Sequence, residues 1–254
     1  MIKFAHIAPT NYTELGIHES DMNMVLCHIA EAHPHYAQMF RDSEKQTLLD
    51  NGAFENGIPY ETERMLDIGE SVGADIMVLP DYPGQPWEKG WEKVEEDIAE
   101  YKTHGFQTMF VPQSILGDTV GYLKSLDKAI KHPDVDLIGL SILGCPTAFN
   151  TLPKYKVREQ ILEYVEQNYT QAHTDKRFHI LGMLDAADEV TRLTYFKDMI
   201  NSWDSSAAIW GGINGIKLED ETKKFELAVD FDHPIGDFSV SLVLDNINYI
   251  KGLR

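Results

Sequence analysis

Four polar residues follow short apolar runs in this chain, and their types suit chemistry on a small ligand. Asp50 sits in the run Thr47–Asn51, Asp81 follows Asp75–Pro80, Gln113 follows Thr108–Pro112, and Asp204 ends Met199–Asp204. A carboxylate after a buried strand can act as an acid, a base or a nucleophile, and it can equally cap a helix or shape a turn. Asp50 lies in Leu48-Leu49-Asp50-Asn51-Gly52-Ala53-Phe54-Glu55-Asn56-Gly57, a glycine-flanked loop that carries an aromatic ring. Asp204 lies in Ser202-Trp203-Asp204-Ser205-Ser206-Ala207-Ala208, among small residues that permit close approach of a substrate. A buried amide at Gln113 could read a donor–acceptor edge, because Gln presents both an acceptor oxygen and an NH2 donor.

These residues need a scaffold that brings strand ends together. Seven short apolar runs recur: Ile2–Ala8, Thr47–Asn51, Asp75–Pro80, Thr108–Pro112, Asp136–Ser141, Phe178–Met183 and Met199–Asp204. Each is bounded by Gly, Pro or Asp, as buried parallel strands are. Amphipathic stretches lie between them, at 21–40, 60–72, 88–103, 119–131, 154–170 and 187–197. This alternation predicts βα units. No glycine-rich dinucleotide or P-loop turn follows a strand, so an eight-stranded (β/α) barrel of the TIM type is favoured over an open doubly wound sheet. In such barrels the site lies at the C-terminal strand ends, which selects Asp50, Asp81, Gln113, 139–141, Gly182 and Asp204. The position of the eighth strand is left open, with the stretch after Asp204 as one place for it. The stretch 209–232 reads as a hairpin elaboration and 236–251 as a closing helix, all within one domain spanning 1–254.

Composition narrows the setting. The 254 residues hold 22 Lys+Arg against 41 Asp+Glu, a formal charge of −19. Two cysteines exclude a disulfide scaffold and a Cys-rich zinc site. No apolar run approaches the roughly 20 residues of a membrane span, and the N-terminus does not read as a signal peptide. A cytoplasmic protein with no membrane partner is the expectation. The charge argues against a polyanionic partner, but it is uneven: residues 1–127 carry 8 basic and 22 acidic side chains, whereas 128–197 carry 9 of each. His18, His28, His33 and His35 fall close together, yet the Pro between His33 and His35 makes a metal site a weak reading, and packing or surface roles are expected.

The strand-end motifs resemble those of the tRNA-guanine and archaeosine transglycosylase superfamily, (β/α) barrels that exchange guanine in nucleic acid for a 7-deazaguanine. Asp50-Asn51-Gly52-Ala53-Phe54-Glu55 resembles the family's Asp-Ser-Gly-Gly-Phe/Tyr-Gln. Asp75–Asp81 resembles the strand ending in the base-reading Asp, Val111-Pro112-Gln113 resembles Val-Gln-Gly, and Ile138-Gly139-Leu140-Ser141 resembles Gly-Gly-Leu-Ala/Ser. His179-Ile180-Leu181-Gly182 is similar to Leu-Met-Gly, and Trp203-Asp204-Ser205-Ser206-Ala207 to Phe-Asp-Ser-Ala. The six motifs run in family order from about residue 46 to 210. The family's zinc-binding cysteines, which would follow Asp204, have no counterpart here, so no metal is expected. The short chain without an RNA-binding tail is most similar to the phage-type (DpdA-like) transglycosylases, which are implied to place a base such as preQ0 into DNA.

The resemblance implies Asp204 as nucleophile on C1′ and Asp50 as the acid/base. It implies Asp81 and Gln113 as readers of the guanine edge, with the Gly139 N–H donating to O6 and the Leu140 carbonyl near the 7-substituent. Phe54 and Leu181 would sandwich the ring. No redox cofactor enters such a reaction. Phosphate contacts are expected from Lys154, Lys156, Arg158, Lys176 and Arg177, then Lys217, Lys223 and Lys224, although a solvated charged face is the commoner role for any one of them. The negative charge predicts weak, salt-sensitive DNA binding and raises the prospect of a helper protein. The alternatives are a tRNA-guanine transglycosylase, a non-catalytic nucleobase-binding or scaffold subunit of a transglycosylase pair, and a barrel glycosidase.

Overall fold

The computed structural model describes residues 1–150, 156–169, 176–183, 188–220, 229–234, 236 and 239–254. The chain opens with β1 (Lys3–His6), α1 (Thr13–Glu19), β2 (Asn23–Leu26), α2 (Cys27–Ala32), α3 (Pro34–Arg41) and β3 (Thr47–Asp50). It continues through α4 (Ala53–Asn56), α5 (Thr62–Val72), β4 (Ile76–Val78), α6 (Trp87–Thr103), β5 (Gln107–Phe110) and α7 (Thr119–Lys131). Then come β6 (Leu137–Ser141), α8 (Gly144–Phe149), α9 (Val157–Asn168), β7 (Arg177–Leu181), α10 (Asp188–Leu193), β8 (Ile200–Ser205), α11 (Ala207–Ile213) and α12 (Val240–Leu253).

The eight strands form one all-parallel sheet in the order β1-β8-β7-β6-β5-β4-β3-β2. Its two ends meet at a seam where the Asp21 N–H donates to the Phe4 carbonyl (2.8 Å). The Asp21 carboxylate accepts the Phe4 N–H (2.9 Å), and the Ser20 hydroxyl oxygen accepts the His6 N–H (2.7 Å). The sheet is therefore a nearly closed (β/α)8 barrel of the TIM type. Alternation along each strand divides its side chains between two cores. Ala5, Met24, Leu48, Ile76, Val78, Met109, Val111 and Leu137 fill the barrel interior, with Met22 below them. The alternate residues, such as Leu49, Met77, Phe110 and Ile138, pack outward against the helices. Helix α6 shows why the outer layer forms: Trp91, Val94, Ile98 and Tyr101 recur at intervals of three and four and are all buried on one face. Helix α7 begins where Asp118 accepts the Gly121 N–H (2.9 Å), an N-cap worth about 1 kcal/mol.

Two expectations are corrected. The strand left open by the sequence is Asn23–Leu26, inside the stretch 21–40 that reads as a helix. β2 runs into α2 with no intervening residue, so no Gly or Pro marks the change from period 2 to period 3.6. The expected hairpin over 209–232 is not formed in its first arm, because Ala207–Ile213 is helical. Ala207, Ala208 and Trp210 favour a helix here, and Gly212 allows close packing, since a Cβ at that position would fall 2.5 Å from Val243 on α12. Most of the second arm lies outside the described residues. The closing helix is present as α12, which buries Val243, Asn246, Ile247 and Ile250.

Candidate active site

The C-terminal strand ends surround a cavity of 540 Å3, within the range of small-molecule sites. Asp50, Asp81, Gln113 and Asp204 all line it, together with Phe54, Leu181, Ser141 and Gly182. The barrel thus brings together the four polar residues that the sequence singles out. Glu55 adds a fourth carboxylate, and the lining among the described residues contains no Lys or Arg.

Asp50 ends β3, where the chain turns sharply through Gly52 at φ +74°. A side chain at Gly52 would be strained in that region and would meet the Cys27 sulfur at 2.9 Å. The turn lets the Gly52 N–H donate to the Asp50 carboxyl at 3.1 Å. Burial, then the nearby Glu55 charge, and more weakly the charges of Asp81 and Asp204, push the Asp50 carboxyl up to about 8. Asp50 therefore carries its proton at neutral pH, as a general acid must.

Asp81 is braced from two sides. The Asn51 amide donates to one oxygen (2.7 Å) and the Gln113 amide to the other (2.6 Å). Asn51 is itself held, donating to the Leu79 carbonyl (2.8 Å) and accepting the Ala53 N–H (2.9 Å). Burial raises the Asp81 carboxyl to about 6, with the two amide hydrogen bonds opposing the rise. Each oxygen keeps a lone pair for a ligand donor. The Gln113 oxygen is buried without a hydrogen-bond partner and packs against Gly144, where a Cβ would fall 2.3 Å from it.

Asp204 lies in β8, where its Oδ1 accepts the Gly182 N–H at 3.3 Å and lies within hydrogen-bond distance of His179 Nε2, at 3.0 Å. Gly182 adopts φ +69°, a conformation that turns its N–H toward Asp204 while its carbonyl accepts the Trp203 indole N–H (2.9 Å).

Phe54 and Leu181, the residues expected to flank a ring, both line the cavity, and Phe54 is 59% exposed. Phe54→Ala should weaken binding of a planar ring in the cavity by about 1–3 kcal/mol without changing the unfolding midpoint, as read by ligand titration and thermal unfolding.

Other expected contacts are corrected. Gly139 lies within β6 below the cavity and does not line it; a Cβ there would touch Val111 (2.9 Å) and Leu181 (3.0 Å) inside the barrel. Leu140 points outward into the sheet–helix core, and its carbonyl accepts from Arg158 (3.2 Å). Ser141, two residues beyond Gly139 on the same strand face, is the β6 residue that reaches the cavity.

The cations also fall differently. Arg158 is fully buried and pairs through two nitrogens with the equally buried Glu189 (2.8 and 2.7 Å). Its other donors reach the Leu140, Leu181 and Gly182 carbonyls at 2.9–3.2 Å, so it ties β6 to the loop that supplies the Gly182 N–H. It is a brace and not a phosphate contact. Arg158→Ala should cost about 3–5 kcal/mol in denaturant unfolding because it strands a buried Glu189 charge.

Lys176 and Arg177 sit at the N-terminal end of β7, across the barrel from the cavity. Lys176 donates to the His132 and Val135 carbonyls. Replacing both should leave ligand binding at the mouth unchanged within a factor of two in a salt-matched assay, since they lie on the far face. Lys156 is exposed just before α9. Lys217 pairs with Glu219 at 2.6 Å. Lys154, Lys223 and Lys224 lie outside the described residues.

The histidines do not gather. His33 pairs with Asp232 (3.4 Å), and no group of three His, Cys, Asp or Glu among the described residues could hold a metal ion. Cys145 is buried and hydrogen-bonded to Tyr122 (3.1 Å), away from the cavity lining.

His179 and Asn51 are the site residues that sequence reasoning passes over as functional groups. A signal for His179 existed: it stands two residues before Leu181, on the inward face of an apolar strand. No protein-family model and no curated protein matches the chain.

Proposed function

We propose that this chain is a base-exchange transglycosylase that replaces guanine in DNA with a 7-deazaguanine of the preQ0 type. The observation that carries the reading is that Asp50, whose carboxyl is pushed up to about 8 by burial, and Asp204 stand on different strand ends of one cavity, beside the Asp81–Gln113 pair.

A displacement at an anomeric carbon uses one carboxyl group as nucleophile and one as acid/base. In the first step Asp204 attacks C1′ of the target nucleotide. The C1′–N9 bond breaks, its electron pair goes to guanine, and the Asp50 proton neutralises the departing base. In the second step Asp50, now a carboxylate, takes the N9 proton of the incoming 7-deazaguanine. N9 attacks C1′, and the bond to Asp204 breaks with its electron pair returned to the carboxylate. Protons and charges balance with no redox partner.

Guanine and 7-deazaguanine share the N1–H and N2–H2 donors that suit Asp81, and their O6 suits an amide N–H of Gln113. Phe54 and Leu181 offer faces for the ring. The target must leave the duplex to reach such a cavity, at a cost of a few kcal/mol. An acidic lining supplies no phosphate contacts to offset that cost, so a basic helper protein that delivers the DNA is part of the proposal.

Isotopically labelled preQ0 should enter DNA and leave tRNA unlabelled when each polymer is incubated with the protein and then digested to nucleosides. Label in tRNA alone would transfer the proposal to the tRNA-modifying branch. Label in neither polymer, with helper proteins supplied, would overturn it.

A further inference from the structure

We infer that His179, backed by Ser202, is a positioning residue that selects the reacting oxygen of Asp204 and helps Asp204 leave again in the second step. The inference deepens the proposal above and rests on Asp204 being the nucleophile. His179 is fully buried in β7 and bridges two β8 side chains. Its Nδ1 is 2.8 Å from Ser202 Oγ and its Nε2 is 3.0 Å from Asp204 Oδ1. The bridge follows from the register, since His179 pairs directly with Ser202 in the ladder and Asp204 is the next residue on the same face of β8.

Donor accounting fixes the direction of the chain. Asp204 Oδ1 already accepts from a backbone N–H, that of Gly182 at 3.3 Å. As the attacking nucleophile Asp204 is a carboxylate and can only accept, so the His179 nitrogen facing it is the protonated one. In a neutral imidazole the other nitrogen is then an acceptor, so Nδ1 receives the Ser202 hydroxyl proton. The Asn201 side-chain amide, 3.2 Å away, donates to the Ser202 oxygen. All donors run one way, from Asn201 to Ser202 to His179 to Asp204, and such chains polarise one another.

Two consequences follow for the reaction. Both donors end on Oδ1, while no hydrogen bond from the described residues reaches Oδ2. Asp204 lines the cavity, so Oδ2 is the oxygen free to attack C1′. Once the glycosyl ester forms at Oδ2, Oδ1 becomes the ester carbonyl with both donors still in place. When the C1′–Oδ2 bond breaks, charge returns to the carboxylate, and fixed donors stabilise that developing charge. His179 thus acts mainly on departure of Asp204, and its loss slows the second step more than the first.

The test combines turnover with a spectroscopic readout. His179→Phe should lower exchange about 10–100-fold while raising the steady-state fraction of covalent enzyme and leaving the dissociation constant of the free incoming base unchanged. His179→Gln, which can place an amide N–H toward Oδ1, should recover part of the loss. An unchanged adduct fraction in both variants, alongside active wild-type protein, would overturn the inference while leaving the assignment of Asp204 intact.

Ring nitrogen NMR on 15N-histidine-labelled wild-type protein tests the arrangement without any turnover. The signals lost in His179→Gln should report a protonated Nε2 and an acceptor Nδ1, and Ser202→Ala should shift Nδ1. A protonated Nδ1 instead would overturn the inference whatever the enzyme assay gives. Wild-type protein that exchanges no base, yet shows the expected tautomer, would count against the nucleophile assignment and not against the hydrogen-bond chain.

Discussion

Asp204→Asn should reduce base exchange by about four orders of magnitude or more, the scale of losing a covalent nucleophile. The substitution is nearly isosteric. An Asn carbonyl oxygen can still accept from His179 and Gly182, whose donors lie 3.0 and 3.3 Å from Oδ1. Folding should therefore be kept, with the unfolding midpoint close to wild type. Binding of the free base should also be kept, because Asp81, Gln113, Phe54 and Leu181 are untouched. Loss of turnover without loss of base affinity, measured by exchange assay and calorimetric titration, separates a nucleophile from a merely structural carboxylate.

The second large effect belongs to Asp50. Its proton is held to about pH 8, chiefly by burial and by the Glu55 charge. The first displacement needs that proton, and base reading needs the Asp81 carboxylate, so single-turnover guanine release should be level only between about pH 6 and about pH 8. Above it the rate should fall about tenfold per pH unit. Asp50→Asn should remove the acid, lower release by about 10²–10⁴-fold and abolish this limb of the profile.

The same proton has a stability signature with a definite sign. Between the ordinary Asp value of 3.8 and about 8, the folded chain binds a proton that the unfolded chain has released. Stability therefore falls as pH rises across that window and levels off above it. Asp50→Asn should remove this slope and leave the variant more stable than wild type at pH 9. A steeper loss in the variant, followed by urea unfolding at several pH values, would show that the Asp50 carboxyl is not held protonated.

Much of this site is legible in the sequence because a barrel converts position along a strand into position around a mouth. Asp50, Asp81, Gln113 and Asp204 each stand at or just past the end of a short apolar run, and parallel pairing in register brings those ends to one face. What stays hidden depends on long-range packing. Arg158 reads as a surface cation because helix periodicity gives no hint that Glu189, 31 residues away, is buried against it. β2 stays hidden because Asn23–Leu26 continues without a break into helix. Leu140 is misplaced by strand parity, and Gly139, which does face inward, by depth: it lies one inward position below the mouth. A β-strand alternates faces, so a motif matched at 138–141 delivers to the cavity only Ser141, at its end.

Acidity is the other lesson of the structure. The formal charge of −19 is not offset at the mouth, whose described lining holds Asp50, Glu55, Asp81 and Asp204 and no Lys or Arg. The expectation of basic side chains near the pocket is not met by Arg158, Lys176 or Arg177. DNA affinity of the isolated chain should accordingly be weak, with a shallow salt dependence, and should rise with a basic partner.

The central claim, exchange through a covalent bond to Asp204, is tested most directly by mass spectrometry of acid-quenched reactions. Wild-type protein incubated with a guanine-containing single-stranded oligodeoxynucleotide, helper proteins supplied and incoming base withheld, should gain the mass of that strand less guanine. The added mass should map to the peptide carrying Asp204, and addition of preQ0 should discharge it. Guanine release without any adduct, or an adduct on a different residue, would contradict the account.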